Sequence, residues 1–314
     1  MRTYIIRRLM FFVPVLLAAS IVTFLALRLV PGDPALTFLG QQARPEEIER
    51  WHQDHGTNDP LVTQYVNWLG GMLRGDPGKS LAGGQSIGSE IKARFPVTGL
   101  ILLFSFGFTM FFGLLFGVLA AVYQDGLIDH GVRIISVFGQ SVPAFFTLTL
   151  LLLLPAIWWR YAPPFGYVPF WEDPWRALRQ VVPPTFILAI GTAATLMRLT
   201  RAQLLEVLRA DYVRTARAKG LVERAVLMRH ALKNSMIPVL TIAGTLVATL
   251  LGGSVILENI TSLPGLGQYT FSATINRDYN VVMAMVMYAA LVVVTSHLVI
   301  DVMYAWLDPR IRYS

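Results

Sequence analysis

The sequence predicts an all-α integral membrane protein with six transmembrane helices, and three observations carry that prediction. The 314 residues are 54% hydrophobic and 14% charged, with a mean hydropathy of +0.55, whereas a soluble domain carries about 25% charge. Six apolar runs, at 9–27, 97–122, 134–159, 178–199, 237–256 and 281–307, each meet the roughly 20 residues that a helix needs to cross a bilayer. Basic residues gather at the ends of these runs and in one loop, as membrane orientation requires. That placement accounts for the net charge of +7 and argues against nucleic-acid binding. There is no Cys, and the five His are scattered without metal-ligand spacing, so thiolate chemistry is excluded and no metal site is expected.

The first run follows Arg2, Arg7 and Arg8. It is longer than the apolar part of a signal peptide, and its small residues Ala18, Ala19 and Ser20 lie inside it rather than after it. It therefore reads as a retained span, with Arg28 able to snorkel to the headgroups. Residues 31–96 are polar. They open with PGDP at 31–34 and hold a helix start at Pro45, Glu46 and Glu47. RGDPGKS at 74–80 invites a phosphate-loop reading but lacks the GxxxxGK[ST] spacing, and Asp76 and Pro77 stand where amides should cradle phosphate. It reads as an ordinary loop. Trp51, Tyr65 and Trp68 suggest a small packed or interfacial subdomain.

The second run contains GLLFG at 113–117, a spacing that marks either close helix packing or only the abundance of Gly in membrane helices. Gln140, Ser141 and Pro143 interrupt the third run, and Glu258, Asn259 and Thr261 follow the fifth. These polar or helix-bending residues are candidates for a translocation path, or for bridges between helices. The 178–199 run is the weakest, with Pro183 and Pro184 near its start and Arg198 at its end. In the last run His297 and Asp301 share one helical face. An intramembrane ionisable pair raises a proton relay, but the position of Asp301 near Asp308 and Arg310 favours a structural role with interfacial partners.

Parity supplies the orientation. Arg2, Arg7 and Arg8 place the N-terminus in the cytoplasm. Four crossings later the chain returns there with nine basic residues between Met197 and Ser235, and six crossings later with Arg310 and Arg312. Both termini are then cytoplasmic and 31–96, with six basic and eight acidic residues, is outside. The loop at 123–133 should be cytoplasmic, yet it sets Asp125 and Asp129 against Arg133 and does not support the assignment. Trp158, Trp159, Tyr161, Trp171 and Trp175 form an expected outer aromatic belt.

The most charged stretch is 201–238. Leu204, Leu208, Tyr212 and Ala216 recur every four residues, giving an amphipathic helix face. Gly220 then ends that helix, Gly being the usual residue where positive φ is needed. Leu221, Ala225, Met228 and Leu232 give a second face, and Pro238 opens the next span. The expectation is a helix, a Gly-marked turn and a helix, exposed to a soluble partner.

At this point the residues resemble a known family. TARAKG at 215–220 followed by RHALKNSMIP at 229–238 resembles the EAA loop of ATP-binding-cassette importer permeases. DYVRTARAKGL at 211–221 resembles the peptide-transport permeases of the dipeptide and oligopeptide systems. IIRRL at 5–9, PGDP at 31–34, LPGLGQ at 263–268 and DPRIRY at 308–313 match the same subgroup, so the resemblance runs the length of the chain. The leading Glu-Ala-Ala is here Arg214-Thr215-Ala216, and the 220–238 spacing is longer than in many importer permeases; both narrow the resemblance to the peptide subgroup.

The resemblance implies a type I importer permease fold in a bacterial or archaeal plasma (inner) membrane. It divides the chain into a first helix (1–30), an extracytoplasmic segment between helices 1 and 2 (31–96) and a transmembrane core (97–314). It implies a coupling helix seated in a groove of an ATPase subunit, with Ala216, Arg217, Ala218, Lys219, Gly220, Leu221, Glu223 and Arg224 at the contact. The chain itself would be non-catalytic and bind no cofactor, ATP and Mg belonging to two partner ATPases. A second homologous permease, forming a heterodimer, and an extracytoplasmic solute-binding protein complete the expected assembly. Di- or oligopeptides are the expected substrates, with nickel complexes, glutathione or another small solute as alternatives. A self-contained secondary transporter or channel would show mid-membrane ionisable residues and inverted repeats with broken helices; little of the first and no clear case of the second is visible. A membrane-embedded enzyme needs convergent catalytic groups, and no such set stands out.

Overall fold

The computed structural model describes residues 2–40, 42–160 and 166–307. Helix α1 (Arg2–Arg28) is the first span. Leu9, Met10, Phe11, Val13, Val15 and Val22 are exposed along it, as they should be on a helix that is apolar all round and meets lipid. The segment after α1 then folds into α2 (Pro34–Leu39), α3 (Pro45–Asp54) and α4 (Leu61–Leu73). Asp33 caps α2 by accepting from the Ala35 amide at 2.8 Å. Helix α3 starts at the expected Pro45. The aromatic trio divides its work: Trp51 is buried and stacks on His55 at 4.1 Å, while Tyr65 and Trp68 pack on Phe24 of α1. The Tyr65 and Ser20 hydroxyls join at 2.8 Å, so this segment is fastened to the first span.

The second span, α5 (Ile87–Val122), begins ahead of the expected residue 97. The third is not straight. Helices α6 (Leu127–Ser141) and α7 (Ala144–Trp159) meet at a 90° bend, with Val142 and Pro143 extended between them. Proline cannot continue the hydrogen-bond ladder, and the residue before it is pushed out of the helical region. Among the described residues five helices are long and apolar enough to cross a membrane, or six with the bent pair counted as one.

Helix α8 (Pro174–Leu208) explains its own weak signal. Its mean hydropathy is the lowest of the five, but 61% of its most apolar stretch is buried, against 11% for α1. It faces protein instead of lipid, so small and hydroxylated residues serve it better than large apolar ones. The GLLFG glycines lie where α5 meets it. A Cβ on Gly113 would stand 2.7 Å from Leu196, and one on Gly117 2.6 Å from Thr200 Cβ and 2.8 Å from the Met197 carbonyl. The close-packing reading of that motif therefore holds. Buried hydroxyls add to the seam, Thr109 with Thr192 at 2.6 Å and Ser105 donating to the Thr185 carbonyl at 3.3 Å.

Beyond α8 come α9 (Asp211–Ala218), the single turn α10 (Glu223–Ala225), a π-helical stretch (Val226–Ala231), α11 (Leu232–Thr261), α12 (Leu266–Ile275) and α13 (Tyr279–Leu307). Pro238 lies inside α11 instead of opening it; the helix runs on from the π-helical stretch into the span. The core gathers Val97, Ile101, Leu148, Val181, Leu188, Leu250 and Leu257 from α5, α7, α8 and α11. Buried Asp278 accepts from Ser80 Oγ at 2.5 Å and from the Leu81 amide at 3.1 Å, tying the loop before α5 to the α12–α13 turn. Trp158, Trp159, Trp171 and Trp175 are exposed; Tyr161 of the expected belt, and Asp308 and Arg310, lie outside the described residues.

Candidate coupling site

The coupling stretch departs from one continuous helix. Helix α8 stops at Leu208, and Ala210 is extended before α9 begins. This break changes which side chains face inward. Val213 and Ala216 of α9 bury against Val226 of the π stretch, with Val207 and Leu208 packed beside them. Tyr212, expected on the packing face, is instead 44% exposed, and Met228 55%. Tyr212 still reaches across, receiving a hydrogen bond from Asn234 Nδ2 at 2.8 Å.

Gly220 ends α9 in the expected way. Its φ is +78°. The Gly220 amide donates to the Arg217 carbonyl at 2.9 Å and the Leu221 amide to the Ala216 carbonyl at 3.4 Å, the paired bonds of a glycine-terminated helix. A Cβ there would meet nothing within 4 Å, so the backbone conformation, not crowding, selects glycine. That open space faces outward. Ala218, Lys219 and Gly220 are exposed, Leu221 is 42% and Val222 70% exposed. Ala216 is the exception among the expected contact residues: it faces the chain's own apolar cluster and does not reach the surface.

The charges split as well. Arg217 donates to both carboxylate oxygens of Glu223, at 2.6 and 3.1 Å, and to the Leu208 carbonyl at 3.4 Å. The Glu223 carboxylate raises the Arg217 guanidinium further above its already high value. These two residues brace the turn internally, while Lys219 and Arg224 have no ion pair among the described residues. The surface is a ridge of small and apolar residues with two free cations at its edge, held by a brace beneath.

What holds this ridge to the membrane helices was not legible in the sequence. Arg201, the first residue of the stretch, donates to Asp129 at 2.6 and 2.7 Å, and Arg133 donates to the same carboxylate at 2.9 Å. Asp129 is fully buried. The acids that spoiled the charge count of the 123–133 loop are therefore spent on arginines. The remaining signal was an acid in an apolar context, since a carboxylate is almost never buried unless paired. Asp301 repeats the pattern. It pairs with Arg8 of α1, the second contact at 2.8 Å, and not with His297, whose Nδ1 faces its own Val293 carbonyl. The structural reading of Asp301 holds, with a partner from the other end of the chain.

The path candidates separate into two groups. Gln140 and Ser141 are exposed at the bend, Gln140 donating to Thr195 Oγ1 at 2.6 Å and accepting from Arg198, and Pro143 opens α7. Glu258 is enclosed. It accepts from Thr98 Oγ1 at 2.7 Å and from the Gln268 amide at 2.8 Å, and Cβ atoms on Gly265 or Gly267 would fall 2.4 and 2.9 Å from its carboxylate. The two glycines of LPGLGQ make room for this side chain, so Glu258 bridges α5, α11 and that turn. Asn259 Nδ2 bonds its own helix at Val255.

Comparison with known proteins adds the decisive observation. The family model described as "Binding-protein-dependent transport system inner membrane component" matches residues 113–313, and its N-terminal companion matches 1–103. The chain belongs to this family. A putative peptide transport system permease protein of Brucella abortus is similar at 38% identity over the full length of both chains. So are an oligopeptide transport system permease protein of Bacillus subtilis and a glutathione transport system permease protein of Pectobacterium atrosepticum, each at 36% over both full lengths. A solved structure titled for inward-facing conformations of the MetNI methionine transporter matches with TM-score 0.53 at 18% identity, over 68% of this chain and 94% of that one. At that identity the match shows the fold, and the fold is that of an importer permease. The permease is thus an all-α, multi-pass inner-membrane component, as its composition required.

Proposed function

We propose that this permease forms half of the translocation path of an ATP-driven importer of di- or oligopeptides. The observation that carries the coupling role is the exposed ridge 218–222, centred on the left-handed glycine that ends α9 and braced from beneath by Arg217 and Glu223. A rigid, shallow ridge on a helix end is suited to sit in a groove of an ATPase subunit and transmit its motion. The names of the relatives support peptide as the substrate class. In this reading a second, similar permease completes a heterodimer. Two ATPase subunits bind ATP and Mg, and an extracytoplasmic solute-binding protein docks on 31–96. Both termini and the ridge lie in the cytoplasm.

Gly220→Arg tests the coupling role. The variant is expected to insert and assemble normally but to lose uptake and the stimulation of ATP hydrolysis by loaded binding protein. Normal uptake would reject the assignment. The relative named for glutathione transport supplies a second substrate reading. Competition of labelled dipeptide uptake by tetrapeptide or by glutathione separates the two.

A further inference from the structure

At the outer end of α1 lies a cavity of about 320 Å³ that the coupling and transport roles leave unused. Five pieces of chain build it: the end of α1 with Phe24 and Arg28, the α3–α4 loop with His55 and Asp59, α4 with Asn67 and Trp68, the turn at Asp76, and the start of α13 with Asn280. Both signs of charge are present. Arg28 rests over the Phe24 ring at 5.3 Å, and among the described residues no carboxylate lies within ion-pair distance of it. Two lining side chains are incompletely satisfied: Trp68 Nε1 and Gln64 Oε1 are buried with no hydrogen-bond partner. Such orphaned groups are rare in folded proteins because each forfeits its bond to water.

The surroundings of the cavity turn apolar. Leu25 and Leu29 are exposed at the end of α1, and Leu61, Val62, Val66 and Leu73 on and beside α4. Arg28 ends a helix whose apolar surface is turned outward along its length, which sets the cavity at the level where acyl chains give way to headgroups. A polar, doubly charged recess beside two apolar helix faces has the division of an amphiphile.

We propose that this cavity seats the headgroup of a zwitterionic phospholipid. The phosphate lies toward Arg28 and the Asn67 and Asn280 amides, the ammonium toward Asp59 and Asp76, and the acyl chains run along α1 and α4. An anionic lipid would answer Arg28 but leave the two acids against its own charge. A soluble phosphate or amine would make no use of the apolar flank. The site depends on the membrane position of α1 and not on the transported substrate; only its assignment to the outer leaflet follows from the proposed orientation.

The test uses the assembled transporter in nanodiscs of equal phosphatidylethanolamine and phosphatidylglycerol, with retained lipids counted by native mass spectrometry. The wild type is expected to hold phosphatidylethanolamine preferentially. Arg28→Gln and the double variant Asp59→Asn/Asp76→Asn should each lower that retention about tenfold, the size expected for a lost charge-assisted contact. If Arg28→Gln fails to assemble, Asn67→Ala, which removes an amide placed on the phosphate, reads the same site. Arg50→Gln, on exposed α3 away from the cavity, should leave retention unchanged. Unaltered retention in both Arg28→Gln and the double Asp variant overturns the proposal. So does preferential retention of phosphatidylglycerol, displacement of the lipid by free phosphoethanolamine alone, or protection of the cavity by the solute-binding protein with no bound lipid. Because the readout is bound lipid, its failure leaves the uptake and ATP-hydrolysis test of Gly220 untouched.

Discussion

Asp129, Glu258, Asp278 and Asp301 are each nearly sealed from solvent, and each is met by donors from a distant segment of the chain. Such carboxylates contribute little net stability when intact, yet removing one partner leaves the other stranded. Replacing Asp301 by Asn, or Arg8 by Gln, should each cost about 1–3 kcal/mol, since Arg8 is half-exposed and the charge-assisted bonds are partly screened. The matching double variant should cost less than the sum, read as thermal stability in detergent. Retained assembly with uptake lost in Asp301→Asn would restore the proton-relay reading. For Glu258 the contrast is between Gln, which keeps an acceptor for the Gln268 amide, and Leu, which keeps none. Glu258→Leu should lose about 1–3 kcal/mol for each orphaned group and Glu258→Gln less. Equal loss in both would remove the hydrogen-bonded role. The sequence marked Glu258 just after an apolar run and Asp301 inside one but could not say what they met, because Thr98 and Arg8 are 160 and 293 positions away.

Helix α8 shows what a hydropathy scan measures at the scale of an element. It was the weakest expected span, and it is the most enclosed of the candidate spans, because residues that contact other helices need close fit more than apolar bulk. Its crossing with α5 should fail by overpacking. Gly117→Ala meets a backbone carbonyl and a β-branched side chain, so it is expected to destabilise by about 1–3 kcal/mol; Gly113→Ala meets side-chain atoms of Leu196 but no carbonyl and should cost somewhat less. Equal melting temperatures for the two would contradict that ranking. In the coupling element the expected helix–turn–helix was legible from Gly220, but its faces were not. The break at Arg209–Ala210 shifts the helical phase, which carries Tyr212 outward. Gly220→Ala should cost about 1–2 kcal/mol for holding a left-handed residue, with partial loss of ATPase stimulation. Complete indifference would separate the turn from coupling.

Across the whole molecule, the orientation proposed from charge parity predicts opposite accessibility for two exposed sites. Cys at Lys219 should react with a membrane-impermeant thiol reagent only in inverted vesicles, and Cys at Gly75 only in right-side-out cells; the native chain lacks Cys, so the background is clean. The same side for both would break the parity argument. The number and nature of the spans, the Gly220 turn and the family were all legible in the sequence alone. Hydrophobic length, positive charge and glycine conformation are local properties, and lipid rewards them wherever they stand in the fold. Tertiary structure alone decided the inward turn of Ala216, the enclosure of Glu258 and the pairing of Arg201 with Asp129 and of Arg8 with Asp301. Each of these depends on which helix stands beside which. In a chain whose helices are nearly all apolar, periodicity says that a residue is in a span but not whether lipid or another helix faces it.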